Sequence, residues 1–152
     1  MRALLQRVQA GSVTIDGKVI SRIGKGLVIL LGIRVGDEEA AAAYLARKIV
    51  NLRIFEDENG KFNRSALDTA AELLVVSQFT LYADTRRGRR PGFSDAAPPE
   101  VSIPLYERFV QLLKESGLVV MTGTFGAFMI VEIMNDGPVT IMLDSEEKLK
   151  YE

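Results

Sequence analysis

The sequence predicts an α/β fold in which strands outnumber helices: largely antiparallel or mixed β-sheets with two main helices packed on one side. Three observations carry that expectation. Turn signals such as Asp16-Gly17 and Gly137-Pro138 break both ends of the chain into short apolar stretches. Two unbroken aliphatic runs, Leu27-Val28-Ile29-Leu30-Leu31 and Leu73-Leu74-Val75-Val76, read as strands buried on both faces. Only two segments, residues 40–50 and a stretch opening near Ser102, have helical character.

In order, residues 3–8 alternate loosely, and residues 13–15 lead to the hairpin dipeptide Asp16-Gly17, with 19–23 as the return strand. Gly24-Lys25-Gly26 is a turn into the first aliphatic run; a dinucleotide fingerprint would need a helix start and a third glycine, and has neither. Asp37 is the expected N-cap of the first helix, with Glu38 and Glu39 complementing its dipole and Tyr44, Leu45, Ile49 and Leu52 forming the apolar stripe. Arg53-Ile54-Phe55 is a short strand ending at the Glu58-Asn59-Gly60-Lys61 turn. Residues 83–102 show no periodicity, and a connection that long inside a compact domain marks a functional or mobile segment. The second helix is expected from Ser102-Ile103-Pro104, burying Leu105, Phe109, Leu112 and Leu113 and ending at Gly117. Residues 118–121, 127–134 and 139–143 are the last strands, with a turn over 122–126 and a charged, solvated end over 145–152. Residues 127–131 are apolar on both faces, as in a central strand or a strand covered by a second subunit.

Bulk properties exclude several function classes. A chain of 152 residues with 47% hydrophobic and 26% charged residues fits one domain over 1–152 with a sizeable core. The net charge of −1 means that any RNA contact rests on a local patch. No apolar run spans a bilayer, and no charged-then-apolar leader opens the chain. Cysteine is absent, which removes thiol chemistry and fits a reducing cytoplasm. Histidine is absent too, which removes histidine triads and the commonest transition-metal ligand; no metal and no cofactor are expected.

The second aliphatic run turns polar at its end: Ser77, Gln78 and Thr80 arrive within four positions around Phe79. Such a strand end either delivers polar groups into a pocket or satisfies its own backbone. Near the far end stands Asn135-Asp136-Gly137-Pro138-Val139-Thr140. In the long segment, Arg86, Arg87, Arg89 and Arg90 surround Gly88, a cationic patch suited to phosphates or simply a solvated loop.

Ser77-Gln78-Phe79-Thr80-Leu81 with Asn135-Asp136-Gly137-Pro138-Val139-Thr140 resembles the paired signature of D-aminoacyl-tRNA deacylases. The similarity runs from Met1-Arg2-Ala3-Leu4 to Leu143-Asp144-Ser145 and includes Leu52-Arg53-Ile54-Phe55, Tyr82-Ala83-Asp84 and Gly123-Thr124-Phe125-Gly126. The resemblance implies a barrel-like arrangement in α/β/β layers, a homodimer with a cross-subunit active site, and hydrolysis of the ester of D-aminoacyl-tRNA. It further implies that a Gly137-cisPro138 dipeptide enters the neighbouring subunit's pocket and excludes L-aminoacyl side chains, with Arg7 bracing it. A backbone wall beside the α-carbon leaves room for hydrogen only, so glycine passes, and glycyl-tRNA mischarged on tRNA-Ala is an expected substrate.

Ser77, Gln78, Phe79 and Thr80 are thus the candidate catalytic residues, and Gly137, Pro138, Arg7, Phe125 and the four arginines the candidate substrate-binding ones. Ser77 and Gln78 would orient the aminoacyl group or terminal adenosine; Phe79 and Phe125 would border the adenine. For hydrolysis, backbone N–H groups around Phe79 and Thr80 holding the oxyanion, with a ribose hydroxyl assisting water, are preferred to a Thr80 nucleophile. Glu56, Asp57 and Asp84 would serve as a base only where the fold brings one of them to Thr80. Two departures stand out: Gly92 and Met142 occupy positions where the family commonly has serine and tryptophan. A non-catalytic RNA-binding module using the arginines, and an esterase for a small non-RNA ester, are the competing readings.

Overall fold

The computed structural model describes residues 1–148, in the order β1 (Arg2–Ile15), β2 (Lys18–Ile23), β3 (Gly26–Gly32), α1 (Glu39–Asn51), β4 (Phe55–Glu56), β5 (Phe62–Arg64), α2 (Ala66–Thr69), β6 (Glu72–Ser77), α3 (Pro99–Glu115), β7 (Val120–Thr122) and β8 (Ile130–Asp144). β1 organises them because it pairs along both edges. β3 and β2 lie antiparallel along one edge, and β8 runs antiparallel along the whole of the other. β3 pairs parallel with β6, and β6 with β7. The Ser21 hydroxyl donates to the Thr122 carbonyl at 2.5 Å, bringing β2 toward β7, so the mixed sheet nearly closes into a barrel. No strand among the described residues pairs with the outer edge of β8.

The aliphatic runs behave as their composition demands. Leu27, Ile29, Leu31, Leu73 and Val75 face α1 and α3, which pack together over one side of the sheet. Val28, Leu74 and Val76 point the other way, into a second cluster with Val8, Val13 and Ile23. Asp16 (φ 49°) and Gly17 (φ 78°) form the expected hairpin, with the two positive φ values that a two-residue turn of this hand requires. Gly26 allows β3 to pass β6, because a Cβ there would collide with the Glu72 backbone.

Several boundaries differ from expectation, each for a local reason. Residues 2–15 form one strand, its two irregularities in pairing with β8 falling between Gln6 and Ala10. Asp37 does not cap α1: its carboxylate accepts the Arg34 N–H at 2.6 Å and pairs with the Met1 ammonium at 2.9 Å, leaving Glu38 at the cap. The buried face of α1 adds Ala42, Ala46 and Val50, while Tyr44 and Leu52 are half-buried. α3 starts at Pro99, because proline fits the first helical position, and Pro104 falls inside the helix. Its fully buried stripe is Ser102, Tyr106, Phe109, Val110 and Leu113, with Leu105 and Leu112 half-buried. β7 begins at Val120, and β8 begins at Ile130 and continues through Gly137-Pro138. α2 went unforeseen although Ser65 and Asp68 form a reciprocal capping box. The expected solvated end is partly tied down: the Ser145 N–H donates to the Met1 carbonyl at 2.9 Å and residues 145–147 form a 3-10 turn; residues 149–152 lie outside the described residues.

Candidate active site

A cavity of about 600 Å³ opens where β6 ends, between Leu31 and Ile33 on one side and Phe125, Met129 and Val131 on the other. Ser77, Gln78 and Phe79 line it, together with Phe93, Ala96 and Ala97 from the long connection. None of its lining residues is acidic or basic. Chemistry in this cavity therefore rests on amides, hydroxyls and main-chain groups.

Backbone geometry shapes the polar corner. The Gln78 N–H donates to the Leu31 carbonyl at 2.8 Å, after which Phe79–Tyr82 turns as a short 3-10 helix. That turn sits directly on β3: a Cβ at Gly32 would lie 3.0 Å from Leu81 Cβ and 3.1 Å from the Gln78 carbonyl. A 3-10 turn leaves its first N–H groups without internal partners. Those of Phe79 and Thr80 meet no acceptor among the described residues. The Gln78 amide donates to the Thr80 hydroxyl, so the nearest polar neighbour of that hydroxyl is a donor and cannot take its proton. Thr80 is exposed and lies outside the cavity lining.

The aromatic residues are braced in pairs. Phe79, 55% exposed, meets Phe93 edge-on with ring centroids 5.0 Å apart. Phe125 tilts against Tyr106 at 6.0 Å, and the Tyr106 hydroxyl donates to the Val75 carbonyl at 2.9 Å. Burial pushes the Tyr106 hydroxyl up to about 12, so it stays neutral and serves as a strut. Phe93 and Tyr106 were not anticipated: Phe93 sits in an aperiodic segment, and Tyr106 is masked by the leucines beside it.

The three candidate bases, Glu56, Asp57 and Asp84, are engaged by other partners. Glu56 pairs with Arg7 at 3.4 Å. Asp57 accepts N–H groups from Lys61 and Asn59, which hold its carboxyl below the usual range. Arg86 holds the Asp84 carboxyl down at about 2, which makes it a feeble base at neutral pH.

Gly137 and Pro138 lie on an excursion of β8. Asn135 is opposite Val8 and Thr140 opposite Gln6, so residues 136–139 bulge beside Arg7 alone. Asn135 spans the neck, accepting the Val139 N–H at 3.0 Å and donating to the Thr140 hydroxyl at 2.9 Å. Arg7 is buried, and donates to the Asp136 carbonyl at 3.1 Å and the Ile54 carbonyl at 2.9 Å. Gly137 has φ 129°, and a Cβ on it would lie 2.8 Å from Val139 Cγ2 and 3.2 Å from the Arg7 guanidinium. The Gly137–Pro138 bond is cis, and both residues are exposed. They do not line the cavity holding Ser77, Gln78 and Phe79. Within one chain, then, the two motifs stay apart.

Residues 84–92 form a closed loop. Asp84 and Gly92 exchange both backbone hydrogen bonds, at 2.7 and 2.8 Å. The Arg86 guanidinium is bidentate on the Asp84 carboxylate, both bonds at 2.9 Å. Arg87, Arg89 and Arg90 are exposed, with no ion-pair partner among the described residues. The nearest neighbour of a Cβ at Gly92 would be the Asp84 carbonyl, 3.9 Å away, so glycine and serine are interchangeable there as far as space goes. Met142, the other departure, is a half-exposed residue of β8.

The family model and the curated relatives agree with one another. A sequence model described as D-Tyr-tRNA(Tyr) deacylase matches residues 4–144. A protein of Roseiflexus castenholzii named D-aminoacyl-tRNA deacylase is 64% identical over 145 residues, covering 95% of this chain and 92% of that one. A protein of the same name from Carboxydothermus hydrogenoformans is 59% identical over 144 residues, covering 95% and 99%. Among solved structures, one titled c-Myc DNA Unwinding Element Binding Protein superposes with a TM-score of 0.89 at 44% identity, covering 95% of this chain and 98% of that one. A structure described as a probable eukaryotic D-amino acid tRNA deacylase has the same fold, with a TM-score of 0.80 at 19% identity over 93% and 97% of the two chains. With a family model matching residues 4–144 and a relative 64% identical over 95% of the chain, the protein belongs to the D-Tyr-tRNA(Tyr) deacylase family.

Proposed function

We infer that the protein hydrolyses the ester of D-aminoacyl-tRNA, releasing free D-amino acid and tRNA. The observation that carries this reading is the pair of unpartnered N–H groups at Phe79 and Thr80, beside a cavity with no titratable lining residue. An aminoacyl ester is already labile. Donors aimed at its developing oxyanion are the form of help such a corner can give. Ser77 and Gln78 orient the aminoacyl-adenosine end, and Phe79 and Phe125 border the base. Water attacks with the ribose hydroxyl assisting. No cofactor or metal enters the scheme.

The chiral filter in this proposal is main chain. Two copies of the chain, each a single domain, assemble so that Gly137-Pro138 of one faces the cavity of the other. Support comes from the exposure of both residues and from apolar side chains left bare on and beside β8: Phe128 is 88% exposed, Ile130 60% and Met134 60%. A surface of that kind fits a subunit contact. An L-side chain would clash with the wall, while a D-residue or glycine presents hydrogen, so glycyl-tRNA passes as well.

Incubating the protein with D-Tyr-tRNA and a chelator tests the reading. Free D-tyrosine is expected; binding without release would identify an RNA-binding module instead. Thr80→Val is expected to keep turnover within about tenfold, since the main chain supplies the donors. A loss of roughly 10⁴-fold or more would make the hydroxyl the nucleophile.

Arg87, Arg89 and Arg90 are assigned to acceptor-stem phosphates. Replacing all three by glutamine is expected to raise KM for D-Tyr-tRNA with kcat unchanged. It should also lower the salt slope of binding by about one for each phosphate no longer neutralised. An unchanged KM and slope would place the tRNA elsewhere. With turnover of D-Tyr-tRNA also intact, the small-ester reading would gain.

A further inference from the structure

Asp84 stands at the junction of the two things the loop has to do. On one side it follows the 3-10 turn directly, which is closed by the Ala83 N–H donating to the Thr80 carbonyl at 3.1 Å. On the other side its backbone partner Gly92 precedes Phe93, the ring that meets Phe79. The segment after Phe93 is fixed to the extension of β3, with Ala97 donating to the Ile33 carbonyl at 2.9 Å and Val35 to the Asp95 carbonyl at 2.9 Å. Phe93 is therefore held from both directions, and the Asp84–Gly92 neck is one of the two holds.

The carboxylate reinforces that neck. It accepts the Arg86 backbone N–H at 3.0 Å as well as the bidentate guanidinium, so main chain and side chain of Arg86 both point back to Asp84. Of the pair, Asp84 is the more enclosed, 29% exposed against 85% for Arg86. Arg86 thus differs from its three neighbours: its Nε and Nη2 are engaged by Asp84, whereas Arg87, Arg89 and Arg90 have no ion-pair partner among the described residues.

We propose that Asp84 is a positioning residue for the hydrolysis: its carboxylate folds Arg86 back over the neck that its own backbone closes with Gly92, and the stiffened neck seats Phe93 against Phe79 and holds the turn that presents the two N–H groups. The inference rests on the D-aminoacyl-tRNA deacylase reading above. It separates the four arginines into one lock and three phosphate contacts, and couples the loop to the rate of the chemical step.

Steady-state kinetics on D-Tyr-tRNA test it, using Asp84→Ala, Asp84→Asn, Arg86→Ala, Arg86→Lys and Phe93→Leu in the full chain. Asp84→Ala, Arg86→Ala and Phe93→Leu are each expected to lower kcat by roughly tenfold with KM within about twofold, the pattern of a displaced reacting geometry. Arg86→Lys should recover part of the Arg86→Ala loss. The Asp84→Ala/Phe93→Leu double variant should be no slower than the slower single variant, because both changes act on one contact. Should Asp84→Ala fail to fold, Asp84→Asn carries the same comparison. A raised KM with unchanged kcat for the Asp84 variants, or multiplicative losses in the double variant, overturns the proposal. If the wild-type protein releases no D-tyrosine, the deacylase reading itself falls, a result distinct from either.

Discussion

Replacing Gly137 by alanine is expected to lower the preference for D-Tyr-tRNA over L-Tyr-tRNA by roughly 100-fold, the penalty typical of a misplacement of about 1 Å at a reacting centre. The added methyl would lie 2.8 Å from Val139 Cγ2 and 3.2 Å from the Arg7 guanidinium, at a backbone φ of 129° that L-residues rarely adopt. None of the three constraints relaxes easily. Val139 is buried, Arg7 is held by two carbonyls, and Asn135 ties the neck of the excursion. The segment must leave its present conformation, and the wall goes with it. Gly60→Ala is the control: that residue also has positive φ, 74°, but open space where its Cβ would stand. Its variant should keep the wild-type selectivity. Parallel rate measurements on the two charged tRNAs give the ratio directly, and an unchanged ratio in Gly137→Ala would remove this dipeptide from the filter.

The second large effect is on stability. Arg7→Met is expected to cost about 3 kcal/mol and lower Tm by roughly 10 °C for a chain of this size. The loss comes mainly from the Ile54 and Asp136 carbonyls, left without the donor that now reaches them from a buried guanidinium. The carboxylates of Glu56 and Asp136 are 51% and 40% exposed, so their ion pairs with Arg7 add little. The Arg7 guanidinium also lies 5.4 Å from the centre of the Phe62 ring, tying the β4–β5 hairpin to the same point. Arg7→Lys should restore only part of the loss, because a single ammonium cannot reproduce the fork. Calorimetry on the three proteins settles the order. A Tm for Arg7→Met within about 2 °C of wild type would mean that the guanidinium does not brace the segment.

How much of this was legible in the chain depended on the range of the interactions. Residues 27–31 and 73–76 showed both-face burial because composition alone separates a doubly covered strand from an amphipathic one. The Asp16-Gly17 hairpin was legible because its turn is chemically specific. Capping near residue 37 was misjudged because Asp37 answers to Met1, 36 positions away, and no local pattern announces that bond. The expected start of α3 is late because Pro104 reads as the proline of a first turn, whereas Pro99 holds that position and Pro104 falls inside the helix.

The site divides in the same way. A strand that turns polar leaves Ser77 and Gln78 open between a pocket and their own backbone; the family resemblance names them with Phe79, and all three line the cavity. Phe93 could not be named, since long-range backbone bonds on either side of it, Asp84–Gly92 before and Asp95–Val35 and Ala97–Ile33 after, bring it to Phe79. The distinct state of Arg86 was equally hidden, because four similar arginines on a line of sequence give no sign that one of them folds back on Asp84.

Sorting by main-chain atoms is the claim on which the rest depends, and three substrates presented side by side test it most directly. The purified protein is given D-Tyr-tRNA, glycyl-tRNA and L-Tyr-tRNA under identical conditions, and free amino acid is followed over time. The prediction is rapid release from the first two and none above the uncatalysed rate from the third, because hydrogen fits against the wall and a side chain does not. Comparable release from the L- and D-tyrosyl substrates would contradict it.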